Sequence, residues 1–302
     1  MKNNCLSRRS AELLLALVII ARATSYLFSK LILGGMGLFN LLALRFLLAF
    51  ALLVVLFFPR LKSPDRKTVV AGTVMGGMFF LVMTAELSGL KRTATGNTAF
   101  LENTAIVLVP LLQAVLGRRL PKGKVILSAL LCLAGVGVLT LGGGLGFGAG
   151  ECWCLLAAFL YACTILVTDR LSHSRIDTLA AGIVQIGVIG ALSLAASLLT
   201  ETPRLPSGAT EWLGIVMLAV VCTGFGFTLQ PVAQSGTTAE RAGMFCALNP
   251  MVAAALGVIF LHEPFTDKTV IGGVLILLGI LFAELPERRG KRGRHFRRCI
   301  MN

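Results

Sequence analysis

Long apolar runs, separated by short polar or glycine-rich breaks, make up almost the whole chain. The breaks combine charges, prolines or glycines, as in PRLKSPDRK (59–67), GRRLPKGK (117–124) and GGGLGFGAG (142–150). A helix needs about 20 apolar residues to cross a bilayer. The pattern therefore predicts ten membrane-spanning helices, at residues 11–33, 37–58, 68–90, 93–116, 125–143, 150–169, 178–200, 211–232, 238–261 and 269–285.

Composition agrees with a membrane location. Of the 302 residues, 56% are hydrophobic and only 14% are charged, whereas a soluble protein of ordinary composition is about 25% charged. The runs are apolar all round, which is not the pattern of helices at the surface of a soluble core. Backbone groups in lipid must be paired within the segment, so the spans are helices. The fold class predicted is an all-α polytopic membrane protein.

The positive charges predict the orientation. With the N-terminus in the cytoplasm, 21 of the 28 Lys and Arg residues fall in cytoplasmic segments and five in external ones. This bias requires an even number of spans, so we expect both termini in the cytoplasm and the protein in the plasma (inner) membrane. The basic tail, 286–302, is expected to contact anionic lipid. No nucleic-acid-binding fold accompanies it, so a nucleic-acid partner is not predicted.

The first span raises a choice, because Arg22 lies in its middle within an Ala-Arg-Ala triplet. Such a segment is either a cleaved signal peptide or a retained helix that carries a charge. Cleavage would leave an odd number of spans and place the tail on the other side of the membrane. The charge distribution therefore favours a retained helix, and a charge in hydrocarbon is then a candidate functional residue.

Catalytic and metal-binding patterns are not found. Half of the eight cysteines lie inside apolar runs, and the three histidines are scattered, none of them in the middle of a span. A metal site needs several ligands at suitable spacing, and an intramembrane enzyme needs a nucleophile with its base or metal ligands. We expect neither an enzyme, nor a metal site, nor a cofactor.

The two halves of the chain resemble each other. TATGNTAFLENTA (93–105) aligns without a gap with TAERAGMFCALNP (238–250), at an offset of 145 residues. Each half contains five spans, and an odd number inserts the second half upside down. Chance similarity between Leu- and Ala-rich helices is the alternative. The predicted organisation is a cytoplasmic N-terminus (1–10), a first repeat (11–143), a second repeat (150–285) and the tail (286–302). Inverted repeats are typical of secondary transporters, which bind solute near the midplane.

One segment carries a family resemblance. Residues 228–266, TLQPVAQSGTTAERAGMFCALNPMVAAALGVIFLHEPFT, resemble the ninth-helix region of EamA-type carriers of the drug/metabolite transporter superfamily. Those carriers have a proline in the helix, small residues, and then Gly-Glu, which is His262-Glu263 here. Residues 88–120 resemble the corresponding region of the first half, where Arg118 replaces the family glutamate. The resemblance implies ten helices in two inverted five-helix repeats and a solute carrier without a specified solute.

Charged and polar residues inside the spans are the candidate site. Two arginines and two glutamates lie in the first half, and the second half supplies neutral polar groups. Substrate binding is assigned to Arg22, Arg45, Glu102, Tyr161, Gln185 and Asn249, and proton coupling to Glu86 or Glu102. An arginine binds a carboxylate or phosphate in a fork geometry, while a glutamate binds an amino group or carries a proton.

Two alternatives remain open at this point. The same charges are also explained as buried ion pairs, Arg45–Glu102 and Arg22–Glu86, that fix helix packing.

The function predicted is secondary active export of an amino acid-like or other small solute by alternating access. The alternative is a membrane scaffold or subunit that does not transport. Gly72, Gly76 and Gly77 are expected to let helices approach closely, mainly within the chain and only secondarily in a dimer. The protein is expected to be a monomer or a homodimer.

Overall fold

In the computed structural model, every regular element of the described part of the chain is a helix. The residues described are 8–62, 64–118, 120, 123–140, 148–172, 176–226, 248–264 and 266–284. The first half contains α1 (Arg8–Leu33), α2 (Leu38–Leu61), α3 (Arg66–Leu90), α4 (Thr95–Asn103), α5 (Ala105–Leu116) and α6 (Gly123–Thr140). The second half contains α7 (Ala149–Ser172), α8 (Thr178–Thr200), α9 (Ala209–Val216), a π-helical segment (Met217–Phe225), α10 (Leu248–Leu261) and α11 (Asp267–Glu284).

Within the described residues, six stretches are long and apolar enough to cross a membrane: α1, α2, α3, the α4–α5 pair, α7 and α8. Shorter apolar helices occupy α6, the run from α9 through the π-helical segment, and α10. These helices make the chain a multi-pass membrane protein. The first part of the predicted ninth span, 238–247, and the basic tail lie outside the described residues.

The predicted fourth span is not one continuous helix: it divides into α4 and α5, and Pro110 lies inside α5. The break is at Thr104, whose amide and hydroxyl both bond to the carbonyl of Leu101, at 3.2 and 2.6 Å. This tightened turn ends α4 directly after Glu102 and Asn103. A threonine hydroxyl that bonds back to its own helix bends the chain.

Helices of the first half pack mainly against helices of the second half. The most extensive contacts pair α6 with α11, α2 with α8, and α3 with both α7 and α8. Helix α1 packs against α10 and the π-helical segment, and α4 packs against α7 and α10. Buried large side chains such as Phe46, Leu41, Leu42 and Ile189 fill the centre.

Small residues bring α3 and α8 together, as the sequence predicts. A Cβ atom added at Gly72 would lie 2.6 Å from the carbonyl oxygen of Ala181, and one at Gly76 would lie 2.7 Å from Cβ of Val188. No atom lies within 4 Å of the corresponding position at Gly77. The GxxxG spacing therefore serves packing within one chain, and it brings the halves into direct backbone contact.

Loops at one end of the bundle tie the two halves together. The connection between α1 and α2 (34–37) contacts the connection between α8 and α9 (201–208). The connection between α3 and α4 (91–94) contacts Glu151 at the start of α7 and Lys30 at the end of α1. We call this end the α1–α2 loop end.

Candidate solute pocket

A polar pocket lies between the two halves. It is lined by residues of α1, α2, α3, α4, α7, the π-helical segment and α10: Arg22, Ser25, Tyr26, Arg45, Phe79, Met83, Glu86, Glu102, Tyr161, Cys222 and Asn249. The space open to the centres of water molecules is about 30 Å³, which is room for one or two waters. A larger solute therefore enters only if the helices move.

Six of the seven predicted site residues line this one pocket. Gln185 is the exception. It lies half-buried on α8, and its backbone carbonyl packs near Gly76 in the contact between α3 and α8. Its predicted role in binding solute therefore has no support from its position.

Arg45 is held in the pocket by a threonine rather than by a carboxylate. Its side chain is buried, and its Nε donates to the hydroxyl of Thr223 at 2.9 Å. Its guanidinium carbon lies 5.1 Å from the ring centre of Phe46, within the range of a cation–π contact. The bond to Nε fixes the plane of the guanidinium group and leaves the outer fork for an oxyanion.

Glu102 is held by a tyrosine that the sequence assignment does not include. The hydroxyl of Tyr26 donates to Oε2 of Glu102 at 2.6 Å, and both side chains are buried. With Arg45 bonded to Thr223 and Glu102 bonded to Tyr26, the described contacts do not include the direct Arg45–Glu102 pair. These contacts therefore do not support the alternative in which an Arg45–Glu102 ion pair fixes helix packing.

Glu86 differs from Glu102 in its surroundings. Its side chain is only 6% exposed, and within the described residues no hydrogen bond reaches its carboxylate. The charges of Glu102, Arg45 and Arg22 all lie close enough to act on it. The Glu86 carboxylate lines the pocket, where water, a cation or a proton can reach it.

Arg22 enters the pocket from α1, one helical turn before Tyr26. A Cβ atom added at Gly226 would lie 3.1 Å from Cγ of Arg22, so this glycine makes room for the arginine stem. The charge of Arg22 acts on both Glu86 and Glu102. The pocket thus combines two cationic and two acidic groups within one buried volume.

Neutral groups complete the pocket wall. The rings of Phe79 and Tyr161 meet edge to face, with centroids 5.9 Å apart. The side-chain oxygen of Asn249 is buried and accepts no hydrogen bond from the described part of the chain. An unused acceptor next to acidic groups suits a solute N–H donor, and the aromatic wall suits an apolar part of the same solute.

Several residues that line the pocket are missing from the assignment made from the sequence. Some of them could have been found from their spacing to a predicted residue on the same helix. Tyr26 follows Arg22 by four residues and Met83 precedes Glu86 by three, so each shares a helix face with a predicted residue. Cys222 and Thr223 had no such signal, because they lie in the π-helical segment, whose wider turn changes which residues face inward. Among the described residues, no group of three or more His, Cys, Asp or Glu side chains forms a metal site.

Comparison with known proteins identifies the family. Residues 9–141 and 148–285 each match the model of the EamA-like transporter family. A protein of Archaeoglobus fulgidus named "Uncharacterized transporter" is 28% identical over 278 residues, which cover 92% of this chain and 87% of that protein. Another from the same organism is 27% identical, with 92% and 98% covered.

"Uncharacterized transporter YetK" of Bacillus subtilis is 23% identical over 294 residues, with 91% of this chain and 87% of that protein covered. A solved crystal structure with 25% sequence identity has a TM-score of 0.62 and covers 92% of this chain and 97% of its own. The two family matches together span most of the sequence. The chain therefore belongs to the EamA-like transporter family, within the drug/metabolite transporter superfamily.

Proposed function

We propose that this protein is a secondary active transporter that exports a small, amino acid-like solute by alternating access. The observation that carries the proposal is the buried pocket between the halves, which holds Arg22, Arg45, Glu86 and Glu102. Ionisable residues inside membrane spans usually mark a solute or proton path.

Ten helices in two inverted halves are part of this proposal. The family model matches twice, once in each half. Several contacts between helices also occur twice. A contact between one helix of each half recurs between the corresponding helices of the opposite halves. For example, α3 packs on α7 as the π-helical segment packs on α1, and α4 packs on α7 as α10 packs on α1. Such exchange symmetry supports two equivalent halves that rock around a shared site.

The chemistry of the pocket favours a zwitterion. The outer fork of Arg45, supported by Arg22, suits a carboxylate. Glu86 and the unused oxygen of Asn249 suit an ammonium group. Phe79, Met83 and Tyr161 would contact the apolar remainder of the solute.

The two glutamates are assigned different parts in the mechanism. Glu102 is bonded to Tyr26, so we assign it as the fixed anion that balances the arginines. Glu86 receives no such bond from the described residues, so we assign it as the group that exchanges a proton for the solute ammonium. Glu86 would then bind either a proton or the solute ammonium, but not both at once. This exclusion couples solute movement to a proton gradient.

The expected location is the plasma (inner) membrane, with both termini in the cytoplasm. This rests on the Lys and Arg bias. The α1–α2 loop end then faces outward, and the basic tail contacts anionic lipid on the inside.

Metabolite profiling of cells and medium tests the proposal and names the solute. The strains express the intact chain, Arg45→Lys, Glu86→Gln, or the control Thr84→Ala, at matched membrane levels, and are compared with empty cells at two external pH values. Thr84 lies two residues from Glu86 but bonds only within α3, to the carbonyl of Phe80. We expect one solute class to accumulate outside with the intact chain and the control, and not with the pocket variants. Equal profiles for intact and pocket-variant chains would contradict the proposal.

A further inference from the structure

We propose that Glu263 and Glu201 are gate residues that close the α1–α2 loop end by capping first-half helices from the second half. Both glutamates lie just beyond the C-terminal ends of second-half helices, α10 and α8. We call these two contacts the carboxylate clasps. The inference deepens the proposed function, since a gate has meaning only for a protein that alternates.

The first clasp joins α10 to α4. Both oxygens of the Glu263 carboxylate accept from the amide of Thr95 in the first turn of α4, at 3.0 and 2.9 Å, and the Thr95 hydroxyl donates at 2.8 Å. Lys30, at the end of α1, lies 3.0 Å from the same carboxylate and also donates to the carbonyl of Thr93. One carboxylate therefore holds three helix ends.

The second clasp joins α8 to α2 with the same chemistry. The two oxygens of Glu201 accept from the amides of Phe39 and Asn40 in the first turn of α2, at 3.1 and 2.8 Å. Nearby, Asn40 donates to the carbonyl of Arg204 at 2.8 Å, and Arg204 donates to the carbonyl of Gly35 at 2.6 Å. A carboxylate at a helix N-terminus bonds unpaired amides and interacts favourably with the helix dipole.

A glycine makes room for each carboxylate. A Cβ atom at Gly257 would overlap the carboxylate of Glu263, and one at Gly37 would overlap that of Glu201. The backbone after α10 also helps, because His262 adopts φ of 51°, a left-handed conformation that turns the chain toward Glu263. The same arrangement thus occurs twice, on the helix pairs α4–α10 and α2–α8 that the repeat relates across the two halves.

Both clasps cross the boundary between the halves, so separating the halves at this end breaks both of them. The pocket beneath has room for only one or two waters. These two facts describe a conformation whose α1–α2 loop end is shut. When this end opens, bonds to water replace the carboxylate–amide bonds. Because the lost bonds are replaced, the gate can open and close reversibly.

Cys222 is a native reporter for the gate. It lines the pocket, its side chain is 1% exposed, and its thiol bonds to the carbonyl of Ala21. In a full-length chain with the other seven cysteines replaced by serine or alanine, a membrane-impermeant cationic methanethiosulfonate reaches this thiol only through an open end. The rate of reaction is measured in right-side-out and in inside-out membrane vesicles.

The variants are Glu263→Gln, Glu201→Gln and their combination, with Gly37→Ala as a variant that displaces the Glu201 carboxylate without removing it. Asp267→Asn is the matched control, because it removes an acid from the same end at the start of α11. We expect each single glutamate variant to react about tenfold faster from the right-side-out face, the effect of losing one charge-assisted bond, and the combined variant to react faster still. Labelling from the other face is expected to fall, since opening one end closes the other.

A merely structural role predicts a different result: labelling that rises from both faces together with lower thermal stability. That result, or unchanged labelling from both faces, would overturn the gate. Labelling that rises only from the inside-out face would keep the clasps and overturn the proposed orientation. Labelling could also rise from one face and fall from the other while no transported solute is found. That result would support the gate and contradict the proposed function.

Discussion

Tyr26 illustrates how one hydroxyl separates the roles of two similar acids. It donates to Glu102 at 2.6 Å in a buried site, while Glu86, in the same pocket, has no corresponding donor among the described residues. A hydrogen bond to a charged group contributes about 1.5–3 kcal/mol. The acid that Tyr26 holds is therefore the one less available to a solute.

We expect Tyr26→Phe to lower the thermal stability of the detergent-solubilised protein, by about 1.5–3 kcal/mol. The same change made in the Glu102→Gln background is expected to cost much less, because the charged acceptor is already absent. A double-mutant cycle on melting curves measures this coupling. Additive effects of the two substitutions would show that the bond contributes nothing.

At the residue scale, charge was the signal that sequence analysis could use. Arg22, Arg45, Glu86 and Glu102 stand out because a charge is rare inside an apolar span, and all four reach one pocket. Gln185 carries no charge, lies outside this pocket, and its backbone belongs to the contact between α3 and α8. Thr223, which holds Arg45, could not be selected, because a threonine in a span is ordinary and the π-helical turn hides its direction.

At the element scale, the α3–α8 contact depends on two glycines that leave no space. We expect Gly76→Ala to destabilise the protein by about 1–3 kcal/mol, because the added methyl would lie 2.7 Å from Cβ of Val188. Gly77→Ala is the matched control, since no atom lies within 4 Å of its added methyl. Melting temperatures of the two purified variants compare them directly, and equal values would contradict the packing account.

Helix positions were predictable because apolar length alone defines a span, while the irregularities within spans were not. The break at Thr104 coincides with a local bond from its hydroxyl to the carbonyl of Leu101, and a threonine in an apolar span gives no sequence signal for such a bond. A proline inside a helix removes one backbone hydrogen bond, yet α5 continues through Pro110. Glu263 stands at the family-like ending of the ninth span, but the partners of the carboxylate clasps had no sequence signal, because they lie more than 160 residues away along the chain.

At the scale of the whole molecule, the orientation in the membrane is testable with native residues. Cys152 is exposed at the start of α7, on the α1–α2 loop end, whereas Cys299 belongs to the basic tail. In two single-cysteine chains, we expect an impermeant maleimide to label Cys152 in intact cells and Cys299 only after permeabilisation. The reverse pattern would invert the topology.

The whole-molecule organisation was visible in the sequence as a weak repeat and a charge bias. The repeat predicted two halves through aligned segments of sequence, such as those that begin at Thr93 and Thr238. The sequence could not show that the pocket is closed, because closure depends on contacts between loops distant in the chain. It could not name the solute either, since the pocket chemistry emerges only when seven helical elements converge.

The central claim is that this chain by itself moves a solute through the charged pocket. The most direct measurement is uptake, by the purified protein in proteoliposomes, of the solute that profiling identifies. The intact chain and Thr84→Ala should transport it and collapse an imposed pH gradient, while Arg45→Lys and Glu86→Gln should be at least about tenfold slower, as the loss of one charge-assisted bond implies. No uptake by the intact chain, or equal uptake by all four proteins, would contradict the account and favour a scaffold that does not transport.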